Sequence, residues 1–477
     1  MRKTMFSFRV RMPEARSFTP PEFYTGDSPF KSSSINSSDP PSTPFVPPHH
    51  ANTSATLFQI PWKDVGISMG LLNAFRALLS DVYHGRHKDK LDTSKYPQFN
   101  GPLPVRKSMS WEPDTPADDP SKTIFATWLG HASYHVRIPV PNQKKQSVTY
   151  LNILTDPVFE ESCSPFSGPK RITPCPTSVD KMRQQGEKAR VDVIMISHNH
   201  YDHLSYQTIK QLITAPESKD SDSEWKPPTL FVPLGQKEWF KSQYPKPKSK
   251  EALSKPVFDP ETDVHELDWW DEKIVELDNG GGKFSFVCTP AMHQSGRSLT
   301  LRDRFASLWC SWYIRAIGEN KSSDDKSASV YFAGDTAYRS LLRENGEVVA
   351  DYDLKNLDTP TPTTTTAGEP DIRNGTCPAF REIYNTLGAP RLSLLPIGAY
   401  EPRRGLSYVH ASPMDSVQIH RDLHSRYSLA MHWATWKLTI EDVWDPARQL
   451  EAAKTKFKIP SNEFEICDIG QTVSVPL

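Results

Sequence analysis

The apolar positions of this chain fall into short buried runs, and most of these runs stop at a polar residue. The sharpest run, residues 191–196, ends in Ser197-His198-Asn199-His200-Tyr201-Asp202-His203-Leu204. Beyond it, Ile209, Leu212 and Ile213 recur at helical spacing, which predicts a helix over residues 205–213. Apolar or alternating runs predict further strands at 123–128, 133–140, 148–154, 229–233, 283–287, 307–317, 330–333, 392–397 and 427–431. A helix is predicted at 236–242, and Ser412-Pro413-Met414-Asp415 has the grammar of another helix start. Asp445-Pro446 opens the last helix, with Leu450 and Ala453 on its inner face. Strands come first in each half and helices lie outside them. The fold class read from this order is α/β, two sheets face to face covered by helices.

The residues that stop the strands are chemically alike. His198, His200, Asp202 and His203 follow one strand, and His293, Asp335 and His432 each follow another. Asp156 and His131 end two more. Neutral imidazoles and carboxylates are ligands for zinc or a similar first-row ion. Alternate positions let His198 and His200 face one ion while Asp202 and His203 turn toward a second. A solvated polar loop is the bland reading of one such histidine, and it fits a His-x-His-x-Asp-His cluster after a buried strand poorly.

Composition adds the surroundings. Across 477 residues the formal charge is -1, which points to no nucleic-acid partner. The 6 cysteines form no CxxC pair, so a reduced intracellular compartment fits better than a disulfide scaffold. With 43 prolines, the chain reads as an ordered domain diluted by Pro-rich polar segments. Residues 1–57 are expected to be a disordered Pro/Ser-rich tail, whose basic start is either a mitochondrial presequence or a plain basic stretch. Residues 58–121 form an N-terminal extension. Within it Leu71, Leu72, Phe75, Leu78 and Leu79 make one apolar helical stripe, packed on the main domain or bedded in a lipid headgroup layer. The compact domain is placed at 122–477, with a loop insertion at 338–376.

Several stretches narrow the assignment. Trp128-Leu129-Gly130-His131-Ala132, Leu154-Thr155-Asp156-Pro157, Gly168-Pro169-Lys170-Arg171, Glu266-Leu267-Asp268-Trp269-Trp270, Phe332-Ala333-Gly334-Asp335-Thr336, Gly398-Ala399-Tyr400-Glu401-Pro402-Arg403 and Met431-His432-Trp433 stand beside the histidine cluster. Together they resemble the N-acylphosphatidylethanolamine-hydrolysing phospholipase D family of the metallo-β-lactamase superfamily. The resemblance implies an αβ/βα sandwich of two packed mixed sheets flanked by helices. It implies two zinc ions, one held by His198, His200 and His293, the other by Asp202, His203 and His432, with Asp335 bridging. Asp202, Asp335 and His410 would be the catalytic residues. His131 and Asp156 would orient ligands, although a core histidine and a turn aspartate are their plain alternatives. His410 could protonate a leaving alkoxide, hydrogen-bond a phosphate, or only cap a helix. Tyr201 and Arg403 would be phosphate or headgroup contacts, or else surface residues. After His293, Gln294-Ser295-Gly296-Arg297 is smaller and more polar than the family's animal form.

The expected reaction is hydrolysis of N-acylphosphatidylethanolamine to an N-acylethanolamine and phosphatidic acid at a membrane surface by a peripheral enzyme, for which the resemblance suggests a dimer. Another hydrolase of the superfamily, such as a lactonase or a different phosphodiesterase, would keep the metals without needing a membrane. A non-catalytic metal-stabilised module would be expected to have lost ligands, and every ligand position is filled.

Overall fold

The computed structural model describes residues 7–25, 46–62, 91–140, 148–165, 168–216, 225–245, 256–278, 282–298, 300, 302–318, 327–342, 350–352 and 375–477. Among them, one sheet has the spatial order β15 (Thr472–Pro476), β2 (Thr123–Gly130), β3 (Ser133–Pro139), β4 (Tyr150–Thr155), β5 (Val193–Met195), β6 (Thr229–Pro233), β7 (Val264–Leu267). The other runs β1 (Phe8–Arg11), β8 (Glu272–Leu277), β9 (Lys283–Thr289), β10 (Ser311–Ile317), β11 (Ser329–Phe332), β12 (Leu392–Pro396), β13 (Ser428–Met431), β14 (Phe464–Glu465). Both are mixed. The first is antiparallel up to β4 and parallel beyond it, and the second turns parallel at β11.

The central strands read as unbroken apolar runs because both of their faces are covered. In β5, Val193 and Met195 point into the core between the sheets while Ile194 points to the outer face. On that outer face lie α1 (Val179–Gln184), α2 (Tyr206–Ile213) and α3 (Lys237–Gln243), through Met182, Ile209, Leu212 and Phe240. The sheets meet where the Phe231 and Phe286 rings stack at 4.5 Å, and where Trp312 Nε1 donates to Ile196 O at 2.9 Å. Trp309 and Trp312 are accordingly core residues, 1% and 0% exposed. The second sheet is covered by α4 (Ala379–Leu387), α6 (Pro413–Asp422) and α7 (Asp445–Phe457), with the short α5 (Arg403–Leu406) before α6. Ser412 caps α6 in a reciprocal box with Asp415, as its sequence predicts.

The disordered-tail expectation is corrected for the residues that are described. β1 pairs antiparallel with β8, Phe8 opposite Leu277 and Arg11 opposite Ile274. Arg11 Nε lies 2.9 Å from Glu276, so part of the basic start sits as an edge strand on an acidic neighbour. Further on, His49 and His50 each place Nε2 at 2.7 Å from one oxygen of Asp268. Tyr24, Phe58 and Trp62 enter the core beside Trp269 and Trp270. Pro-rich composition sets a weak local propensity, and these aromatic contacts override it. The apolar stripe at residues 71–79 lies outside the described residues. No helix among the described residues is long and apolar enough to cross a membrane.

Candidate metal centre

Each residue of the predicted cluster stands on a loop where a strand stops, and the backbone there is held in unusual shapes. Gly334 has φ 58°, and a Cβ on it would come within 2.4 Å of Ser197 Cβ, so only glycine lets Asp335 follow so closely. At Gly398 a Cβ would meet His432 O at 2.1 Å. These two contacts explain why glycine stands at both strand ends. Non-glycine residues share the strain: His131, Asp156 and His432 have φ of 52°, 32° and 64°. His432 N donates to His131 O at 3.0 Å, which locks two of them together.

The side chains converge. His198 Nε2 lies 2.8 Å from His200 Nδ1, and His293 Nε2 lies 3.3 Å from the same atom. A second set joins His203 Nε2 to His432 Nε2 at 3.2 Å, with Asp202 Oδ2 3.5 Å and 3.8 Å from them. Asp335 stands between the sets. Its Oδ1 is 2.9 Å from His432, and its Oδ2 is 3.2 Å from His203, 3.6 Å from His293 and 3.9 Å from His198. All seven side chains predicted as ligands are thus brought together, around one carboxylate that reaches both groups.

Three further predicted residues stand beside these sets. Asp156 is fully buried, and its carboxylate accepts from Ser197 N at 2.7 Å, Ser197 Oγ at 2.5 Å and His203 Nδ1 at 2.7 Å. Ser197 Oγ in turn lies 2.9 Å from His198 Nδ1, so one aspartate orients a histidine of each set. It is more than a turn residue. His131 Nε2 lies 2.9 Å from Asp202 Oδ2 and fixes that carboxylate. His410 presents Nδ1 3.8 Å from Asp335 Oδ2, at the centre rather than merely ahead of α6.

Two expectations change. Arg403 is 8% exposed, and its guanidinium is taken up by Asp351 at 2.9 Å, Asp415 at 2.6 Å and the His410 carbonyl at 3.3 Å. These contacts brace the site from behind. Tyr201 is half-buried beneath the Arg297 guanidinium, 4.1 Å from its ring centroid. Arg297 also covers Trp239 at 5.1 Å and donates to Leu204 O at 3.0 Å. Ser197, Val409 and Arg297 were not assigned roles from sequence. Ser197 sat inside the motif, and Arg297 lay four positions past His293. Val409 acts through its carbonyl, which meets His293 Nδ1 at 2.7 Å, and a backbone role leaves no side-chain signal.

The electrostatics fit a cation. Burial works against charge on every group, yet the surrounding histidines, His203 foremost, hold Asp335 and Asp202 well below the usual carboxylate range. The same carboxylates outweigh burial at two histidines. Asp335, with Asp202, holds His203 well above its ordinary value, and His432 rises to about 9. His198 and His293 are instead pushed well below by burial and by neighbouring imidazoles. Two buried carboxylates therefore draw protons onto His203 and His432, which is the positive charge a divalent ion would supply. Loading the apoprotein with a divalent metal must displace those protons. Calorimetry in buffers of differing ionisation enthalpy should show proton release near pH 7. For His432 that release should fade as pH rises through about 9. Its raised value also adds stability to the apoprotein that is fully present below the ordinary 6.5 and lost as pH rises through about 9.

The chain is similar to several known proteins. Residues 151–363 match the Beta-lactamase superfamily domain. The chain is 27% identical over 409 residues to N-acyl-phosphatidylethanolamine-hydrolyzing phospholipase D 1 of Caenorhabditis elegans, covering 84% of this chain and 87% of that one. It is 29% identical over 330 residues to the mitochondrial N-acyl-phosphatidylethanolamine-hydrolyzing phospholipase D of Saccharomyces cerevisiae, covering 69% of this chain and 51% of that one. Among solved structures, an isothiocyanate hydrolase from Delia radicum gut bacteria aligns at 14% identity and a TM-score of 0.43, over 74% of this chain and 100% of that one. A buried His/Asp centre on two face-to-face mixed sheets, a stretch similar to the Beta-lactamase superfamily domain and a likeness to N-acylphosphatidylethanolamine-hydrolysing phospholipases D together support a metal-dependent hydrolase.

Proposed function

We propose that the protein is a dinuclear zinc phosphodiesterase that hydrolyses N-acylphosphatidylethanolamine to an N-acylethanolamine and phosphatidic acid. The observation that carries the reading is Asp335, a single carboxylate reaching both histidine sets. The names of the worm and yeast relatives support the substrate. His198, His200 and His293 would hold one zinc, and Asp202, His203 and His432 the other, with Asp335 shared. When bound, such a pair supplies a nucleophilic oxygen at neutral pH and neutralises charge on the phosphoryl group.

The chain's own groups do the remainder. Asp156, through His203 Nδ1 and Ser197, presents the ligand nitrogens in their unprotonated form, and His131 aims Asp202. His410 is depressed to about 4 by burial, so it stays neutral at physiological pH. A neutral imidazole donates a hydrogen bond, which suits a non-bridging phosphate oxygen better than protonation of the leaving alkoxide. Water adds to phosphorus, the bond from phosphorus to the ethanolamide oxygen breaks, and that oxygen takes its proton from solvent. The substrate is a bilayer phospholipid, and the enzyme would meet it as a peripheral protein. Ile172 and Ile440, 41% and 40% exposed, are apolar positions suited to that contact, and Ile172 borders the cleft that reaches His432.

The test offers the zinc-loaded protein N-acylated and plain phosphatidylethanolamines, simple phosphodiesters and lactones, with products identified by mass. N-acylethanolamine and phosphatidic acid in a 1:1 ratio, with close to two zinc per chain, is the expected result. Turnover confined to lactones or simple phosphodiesters would replace this reading with another hydrolase.

A further inference from the structure

The described residues 350–352 of the insertion lie against the segment that carries His410. Asp351 Oδ2 lies 2.9 Å from Arg403 Nε, and its Oδ1 lies 2.7 Å from Arg339 Nη2. Arg403 then spans to Asp415 with Nη2 at 2.6 Å, and to the carbonyl of His410 with Nη1 at 3.3 Å. Arg339 also approaches Asp415, at 3.6 Å, and lies 4.1 Å over the Tyr352 ring. Four buried or half-buried charges thus balance, two arginines against two aspartates. Glu401 does not stand in for either, because burial pushes its carboxyl up to about 8.

This network secures a strip with two functions. Val409 O sets His293 Nδ1 at 2.7 Å, and the next residue is His410. Ala411 N, one position on, donates to Thr336 O at 2.7 Å, beside Asp335. Without the Asp351 carboxylate, Arg339 and Arg403 would share Asp415 alone, leaving a buried excess of positive charge. Arg403 would keep its shortest bond, to Asp415, and its longest, to the His410 carbonyl, would yield first.

We propose that Asp351, a residue of the insertion, is a positioning residue that holds His410 at the metal centre through Arg403. The proposal rests on the reading of His410 as a phosphate contact. It makes part of the insertion a component of the active-site scaffold.

The experiment uses the full-length, zinc-loaded chain. Asp351→Asn should lower kcat about tenfold, the scale of a slight misplacement of a reacting group, with KM and zinc content kept. Asp351→Glu should restore much of that loss. In a His410→Ala background, Asp351→Asn should cost less than about twofold more, because the two act as a unit. Equal losses in both backgrounds, or no loss in either, would overturn the proposal. A second readout needs no substrate. The imidazole ¹⁵N signals of His410, identified by their disappearance in His410→Ala, should shift in Asp351→Asn. If they shift while no phospholipid is turned over by the parent protein, the functional reading fails and the positioning stands; if they stay in place, the positioning fails. Should the Asn variant not fold, Arg403→Lys keeps the charge but loses the three-way fork, and should give the same kcat loss and the same non-additivity.

Discussion

Asp335→Asn should abolish measurable hydrolysis while leaving the fold in place. The substitution preserves shape, and it sits in a loop already shaped by Gly334 against Ser197. It removes one negative charge from the carboxylate that stands between the two histidine sets. One oxygen would remain to face either His432 or His203, and the other arm would present N–H donors to atoms proposed to hold a cation. Charge stabilisation by a metal pair is worth several kcal/mol in the transition state, and about 4 kcal/mol corresponds to roughly a thousandfold in rate. The check is kcat on the phospholipid beside zinc content and a thermal melt. Near-normal activity in a folded Asn variant would sink the two-metal mechanism.

How far this centre was legible depends on where its information sits. The seven converging side chains were readable because each follows a strand buried on both faces, so an apolar run announces its position. The edges of the sheets were not. β8, Glu272-Lys273-Ile274-Val275-Glu276-Leu277, lies next to the edge strand β1, and its polar residues blur the alternation. β1 itself lies in a stretch whose composition suggests disorder, and only pairing across more than 260 residues orders it. Arg403 was read by type, as a phosphate-seeking fork, because Asp351 and Asp415 are distant in the chain and their claim on it appears only once folded. Residues that act through neighbours were seen as candidates without a direction. Asp156 and His131 gained their roles from single distances to His203 and Asp202.

Asp156→Asn should be the most damaging change at a residue predicted to touch no metal. The aspartate accepts from Ser197 through backbone and hydroxyl, and an asparagine oxygen can keep the backbone bond. What it cannot keep is the second acceptor, at 2.7 Å from His203 Nδ1. An amide NH₂ there favours a His203 that accepts at Nδ1, which moves the proton to Nε2. Nε2 is the atom that faces His432, Asp202 and Asp335, and once protonated it cannot ligate. The damage is one of tautomer rather than of packing, so the melt should change little. Because Ser197 also relays Asp156 to His198, a smaller effect on the other set should follow. Outer-shell partners of ligating histidines typically contribute about 10- to 100-fold in metal affinity or activity, and a carboxylate serving both sets belongs at the upper end. The expected result is kcat lower by about a hundredfold, with zinc content falling toward one per chain and recovering partly at high zinc concentration. Full occupancy with unchanged kcat would mean that the His203 tautomer is set by something other than Asp156.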